Sequence, residues 1–149
     1  MQTVFFAANA ATLPLLAAAG GDPASLDLAA VAAGDLDPGQ LLDLDTLMTG
    51  HDPAAVREAV LTPAGVVGRP GSLARGTEER VLLPVRPALR SSLLEREDAE
   101  LDRIAAQWER LSWGTDWDRA GYGALLRSLA ILAELAVAER HGIYVCFDV

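Results

Sequence analysis

Residues 113–149 place the tightest constraint on what this chain can fold into. They read as a short loop from Trp113 to Asp118, a helix over about 117–141, and a closing strand from Ile143 to Val149. At 100° per residue, Leu125, Leu126, Leu129, Leu132, Ala133, Leu135, Ala136 and Val137 spread over one wide apolar arc of the helix. The strand alternates Ile143, Val145, Phe147 and Val149 against Tyr144, Cys146 and Asp148, and even its second face is largely apolar. Neither element is stable with such surfaces in water, so the remaining segments must cover both. Thr3 to Ala8 is a short apolar run rich in β-formers. Pairing it with the closing strand brings both ends of the chain into one sheet. The expected fold is α+β. A small mixed sheet holds the N- and C-terminal strands, several helices pack mainly on one face, the C-terminal helix is long, and 1–149 form one domain.

Composition supplies the core and limits the chemistry. Apolar residues make up 51% of the chain, enough to bury a core and to argue against disorder. The net charge of −9 argues against nucleic acid, which needs clustered cations, and favours a basic partner or colloidal solubility. All 12 cations are Arg, so a Schiff base, a P-loop lysine and a lysine general base are excluded. A lone Cys146 excludes an internal disulfide and a CxxC metal site. The first cation is Arg57, so the apolar N-terminus lacks the positive region of a signal peptide. No uncharged apolar run reaches the ~18 residues of a membrane helix. A cytoplasmic protein without membrane contact is expected.

The middle of the chain is punctuated regularly. Asp22-Pro23, Asp37-Pro38 and Asp52-Pro53 recur at intervals of 15. Asp suits an N-cap and Pro the first helical position, so short helices are expected near 23–33, 38–48 and 53–61. They stack as a small array or merely share punctuation. Leu13 to Ala19 reads as a helix capped by Asn9 or Thr12. Residues 62–77, rich in Gly and Pro, read as a loop. Residues 79–87 read as an irregular or edge strand, given Pro84 and Pro87. Ser92 and Glu95 have the spacing of a capping box for a helix over about 93–112. Leu94, Leu101, Ile104, Ala105, Trp108 and Leu111 form its apolar face.

Candidate chemistry collects on the closing helix and the loop before it. Gly123, Arg127, Glu134 and His141 fall within about 40° of one another on a helix. They form either a polar track facing a cleft, with Arg127 binding an anion, or the solvent face of a half-buried helix. Trp113 and Trp117 beside Asp116 and Asp118 form either a binding lip for a basic partner or a packed hinge between helices. The candidate binding residues are therefore Trp113, Asp116, Trp117, Asp118, Arg127, Glu134 and His141. No catalytic residue is assigned. His51 and His141 lie 90 residues apart with no metal-ligand spacing, and the Asp-rich runs fail the EF-hand pattern at position 5. Gly65 to Ser72 resembles a phosphate loop only in glycine content, and Cys146 on an apolar strand reads as a buried thiol. No cofactor or metal is expected.

The segment from Leu42 to Gly50 (Leu-Asp-Leu-Asp-Thr-Leu-Met-Thr-Gly), followed by Asp52-Pro53, resembles the YfbM-like family of small bacterial domains of unknown function. A starting strand and helix, a Trp-containing segment and a last helix running through 136–142 into a terminal strand extend the likeness. The resemblance supplies no site residues. The failure of every catalytic motif, with the acidity, favours a non-enzymatic binding or regulatory domain, for instance an immunity-type inhibitor of a basic toxin. A small hydrolase or transferase using Asp116, Asp118 and Glu134, with Arg127 on the substrate anion, is the alternative. The apolar termini leave a homodimer open.

Overall fold

The structure, a computed structural model, describes residues 2–18, 23–61, 80–112 and 117–148. It is α+β. Four strands form one sheet: β1 (Thr3–Ala8), β2 (Ala30–Ala32), β3 (Arg80–Pro84) and β4 (Gly142–Asp148). Among the described residues six α-helices accompany it: α1 (Leu13–Ala18), α2 (Pro38–Thr49), α3 (Pro53–Leu61), α4 (Pro87–Glu95), α5 (Asp98–Leu111) and α6 (Arg119–Ala138). The strand order is β2-β1-β4-β3. Every pairing is antiparallel where a mixed sheet was expected.

The two terminal strands are neighbours, as expected, with Thr3 opposite Phe147 and Ala8 opposite Gly142. β4 also pairs with β3 and so is interior, which explains why both its faces are apolar. Ile143, Val145 and Phe147 join Phe5, Ala7 and Leu83 under the helices. Cys146 joins Phe6, Ala8, Leu16 and Leu82 in a smaller cluster on the opposite face. The larger core lies between the sheet and α2–α6, with Trp108, Tyr122, Leu126 and Leu129 at its centre. By length and by a mean hydropathy of 1.4 α6 would pass for a membrane span. Here its apolar face is the centre of the core.

Three expectations change. The first Asp-Pro unit is not a helix: Pro23–Leu26 is a single 3-10 turn. Asp27 then takes a left-handed backbone (φ 53) and the chain enters β2. The free edge of β1 takes up residues 30–32, because ladder hydrogen bonds outweigh the weak helix preference of a few alanines. With one unit in the sheet, no three-helix array forms. Second, the helix expected over 93–112 is two helices. Pro87 starts α4, Arg96 and Glu97 are extended, and α5 follows. Ser92 is inside α4 and is no cap; its buried hydroxyl donates to the Met48 carbonyl (2.8 Å). Third, α6 stops at Ala138. Arg140 adopts φ 57, and the His141 amide bonds back to the Ala136 carbonyl (2.7 Å). The left-handed residue that closes the helix is thus Arg140, before the expected end near 141. The loop expected over 62–77 lies outside the described residues.

Candidate functional site

The expected site residues that the structure describes do not come together in one site. Trp113 and Asp116 lie outside the described residues. Trp117 is packed inward. Its indole N–H donates to Asp35 Oδ1 (3.1 Å), and its ring lies 5.6 Å from that of Tyr122. Asp118 caps α6, accepting the Gly121 amide at 2.8 Å. Arg127 is held by Asp102 of α5, with Nη2 at 2.6 and 2.8 Å from the two carboxylate oxygens. Gly123 belongs to that same contact, since a Cβ there would meet Asp102 Oδ1 at 3.3 Å. Glu134 is exposed, further along α6. The His141 ring is 3.3 Å from Glu139, and its carbonyl accepts from Arg90 (3.1 Å). The stripe is therefore a helix–helix contact at one end and solvent face at the other.

A polar cleft forms instead where α2, α3 and the end of α5 meet. The capping box of α2 sets its rim. Asp37 Oδ1 accepts the Gln40 amide (2.8 Å) and Gln40 Oε1 accepts the Asp37 amide (2.9 Å), with Pro38 in the first turn. Gln40 is buried and fixes the helix in place. Its side chain donates to the Tyr122 hydroxyl (3.1 Å), and its carbonyl accepts the Trp108 indole N–H (3.0 Å). Trp108 and Tyr122 lie 4.6 Å apart. With this end anchored, Asp43 and Thr46, one turn apart, face the cleft. Arg57 of α3 and Ser112 after α5 complete its walls, enclosing about 460 Å³.

The electrostatics of this cleft are unbalanced. Partial burial, and then the nearby Asp37 carboxylate, push the Asp43 carboxyl above its ordinary value. Among the described residues, the Asp43 side chain has no hydrogen bond or ion pair, and the Arg57 side chain has none either. The Ser112 hydroxyl is shielded from water and has no partner among the described residues. The cleft thus offers a carboxylate and a guanidinium not consumed by the described part of the fold, the usual mark of a polar binding site.

A second polar cluster lies at the other end of α2 and is structural. Arg86 grips Asp45 with Nε–Oδ2 at 2.8 Å and Nη2–Oδ1 at 2.6 Å. The side chains are 17% and 3% exposed. The hydrogen bond to Asp45 makes Arg86 harder to deprotonate than usual, against the opposite effect of burial. Nη2 also reaches His51 Nδ1 (3.0 Å); since Arg can only donate, Nδ1 is the unprotonated nitrogen in this contact. Ser92 and Arg96 both donate to the Met48 carbonyl, satisfying the end of the helix.

Sequence reasoning did not single out Asp43, Thr46, Arg57 or Ser112. The available signal was the segment from Leu42 to Gly50, which carries Asp43, Asp45 and Thr46 on α2.

Comparison with known proteins finds no matching family model and no matching curated protein. Among solved structures the chain is weakly similar to YfbM from Escherichia coli, a protein of unknown function. Identity is 15% over 100% of both chains, with a TM-score of 0.39. This is the same group that the segment at 42–50 resembles. At that score the likeness carries nothing about activity.

Proposed function

We propose that this chain is a non-enzymatic binding domain that takes a basic segment of a protein partner into the cleft between α2 and α3. One observation carries the reading. Asp43 faces that cleft half-buried, beside Asp37, with no cation or donor of the described residues paired to it. An arginine or lysine from a partner would supply the missing counter-charge through a charge-assisted bond. Thr46, which also faces the cleft, offers a further hydrogen bond to the same segment. The net charge of −9 would speed the encounter with a basic surface. An immunity-type inhibitor that neutralises a basic toxin is the specific form this reading favours.

The test is calorimetric titration of the full chain with an arginine-rich peptide, for the parent chain, Asp43→Asn and Arg57→Ala. Asp43→Asn is expected to weaken binding about tenfold, near 1.4 kcal/mol. Arg57→Ala should leave affinity unchanged or raise it, because it removes a like charge. Affinity should fall as salt rises. Equal binding by the parent and Asp43→Asn would remove the cleft from the reading.

A further inference from the structure

We propose that the open edge of the sheet at β2 is a self-association surface, occupied by β2 of a second copy of this chain in antiparallel pairing about Val31. Among the described residues, β2 is an edge strand paired with β1 alone. On the β1 side, Ala29 and Ala33 hydrogen-bond across the ladder, through the Ala29 carbonyl to the Ala7 amide and the Ala33 amide to the Thr3 carbonyl. Antiparallel ladders alternate, so the amide and carbonyl groups of Ala30 and Ala32 point away from β1. Ala30 and Ala32 are exposed. The strand itself does not guard this edge: residues 29–33 are Ala, Ala, Val, Ala and Ala, without the charge or proline that usually blunts an exposed strand.

The geometry suits a two-fold axis. With Val31 opposite its own copy, Ala30 of each chain lies opposite Ala32 of the other. Each such pair exchanges two hydrogen bonds, and symmetry makes two pairs, so about four outward-facing bonds are satisfied together. An axis normal to the sheet keeps both copies of α6 on the same side. Val31 itself packs on that side, against the main core.

The surface beside the edge is apolar and uncharged. Val31, Ser128, Ile131 and Leu135 line a shallow groove of about 190 Å³. Ile131 is 59% exposed and Leu135 45%. On the helix, Ala124, Ser128, Ile131, Leu135 and Ala138 form a continuous stripe with no charge. The chain elsewhere is strongly acidic, and this stripe gives a basic partner no carboxylate to grip. It is matched by the same stripe of a second copy. The backbone ladder adds to this side-chain patch, and a micromolar dimer is expected.

The experiment is light scattering with size separation on the full chain, over a concentration series from about 1 to about 500 μM. The parent mass should rise from 15.7 kDa toward twice that value. Ile131→Glu places like charges near the axis and should weaken the dimer by about thirtyfold or more. Ala32→Pro removes an outward N–H while leaving the bonds to β1 intact, and should weaken it too. Leu94→Glu, on α4 and away from the edge, should dimerise like the parent. Far-UV circular dichroism confirms that each variant folds. A parent mass that stays at 15.7 kDa throughout overturns the proposal and leaves the edge to a strand of another protein. Folded Ile131→Glu and Ala32→Pro variants that dimerise like the parent overturn it as well.

Discussion

A step of two residues turns a helical side chain by about 200°, and Asp43 and Asp45 show what that does to a carboxylate. Asp45 points into the fold and is neutralised by Arg86 at 2.6 and 2.8 Å. Asp43 points into the cleft and is paired with nothing among the described residues. Their substitutions should therefore differ in sign. Asp45→Ala leaves a largely buried guanidinium without its counter-charge and should cost about 3 kcal/mol in urea unfolding, or about 8 °C in Tm. Adding Arg86→Met to Asp45→Leu should restore most of that loss, because an apolar pair of similar volume needs no desolvation of charge. For Asp43 the sign follows from its raised carboxyl. The folded chain holds this proton more tightly than the unfolded chain. Its contribution to stability therefore falls as pH rises from the ordinary value of 3.8 through the higher folded value, and the cost of the charged form is complete above that window. Asp43→Asn should melt above the parent at pH 7, and the gap should close in melts below about pH 3.8. A gap that stays constant with pH would show that the charge is not the cause.

At the scale of elements, two left-handed glycines separate backbone freedom from lack of space. Gly50 closes α2 with φ 69 and has nothing within 4 Å of a built Cβ. Gly34 has φ 55, and a Cβ there would meet the Trp117 ring at 3.0 Å. Gly50→Ala should cost about 1 kcal/mol, the left-handed penalty alone. Gly34→Ala adds displacement of the indole, and with it the Asp35 and Tyr122 contacts that seat the start of α6. It should cost about 2–3 kcal/mol, read from denaturant midpoints at an unchanged slope. The elements themselves were legible in proportion to their local signals. β1, α2, α3 and β4 lie close to where pattern and caps place them. The segment at 23–33 carried an Asp-Pro start and alanines, both compatible with a helix. What made it a turn and a strand was the unpaired edge of β1, a partner distant in sequence. Likewise Ser92 and Glu95 had the spacing of a cap, but Pro87 had already started a helix. The Ser92 hydroxyl was drawn to the Met48 carbonyl of another element.

For the molecule as a whole, β4 is the keystone, since it is bonded to β1 on one side and β3 on the other. Deleting residues 142–149 should remove cooperative unfolding altogether. The central strand and the Ile143, Val145 and Phe147 layer of the core go together, and a melt without a sharp transition is the expected reading. A truncated chain that still melts cooperatively would show that the helices form a core of their own. The closing helix and strand were legible from sequence alone because their apolar surfaces are too large to leave in water, whatever they pack against. Burial of that kind depends on composition and period, both local properties. The α+β class, the buried faces of β4, the buried face of α6 apart from Leu135 and Val137, which stay exposed, and the adjacency of the terminal strands follow from it. The tertiary structure decided which polar groups were left over. Arg127 looked free and was matched by Asp102 of α5; Trp117 looked like a lip and was matched by Asp35. Asp43 looked like any surface carboxylate until α3 and the end of α5 closed a cleft around it. Whether a polar side chain is spent or available depends on partners that only the assembled fold brings within hydrogen-bond distance.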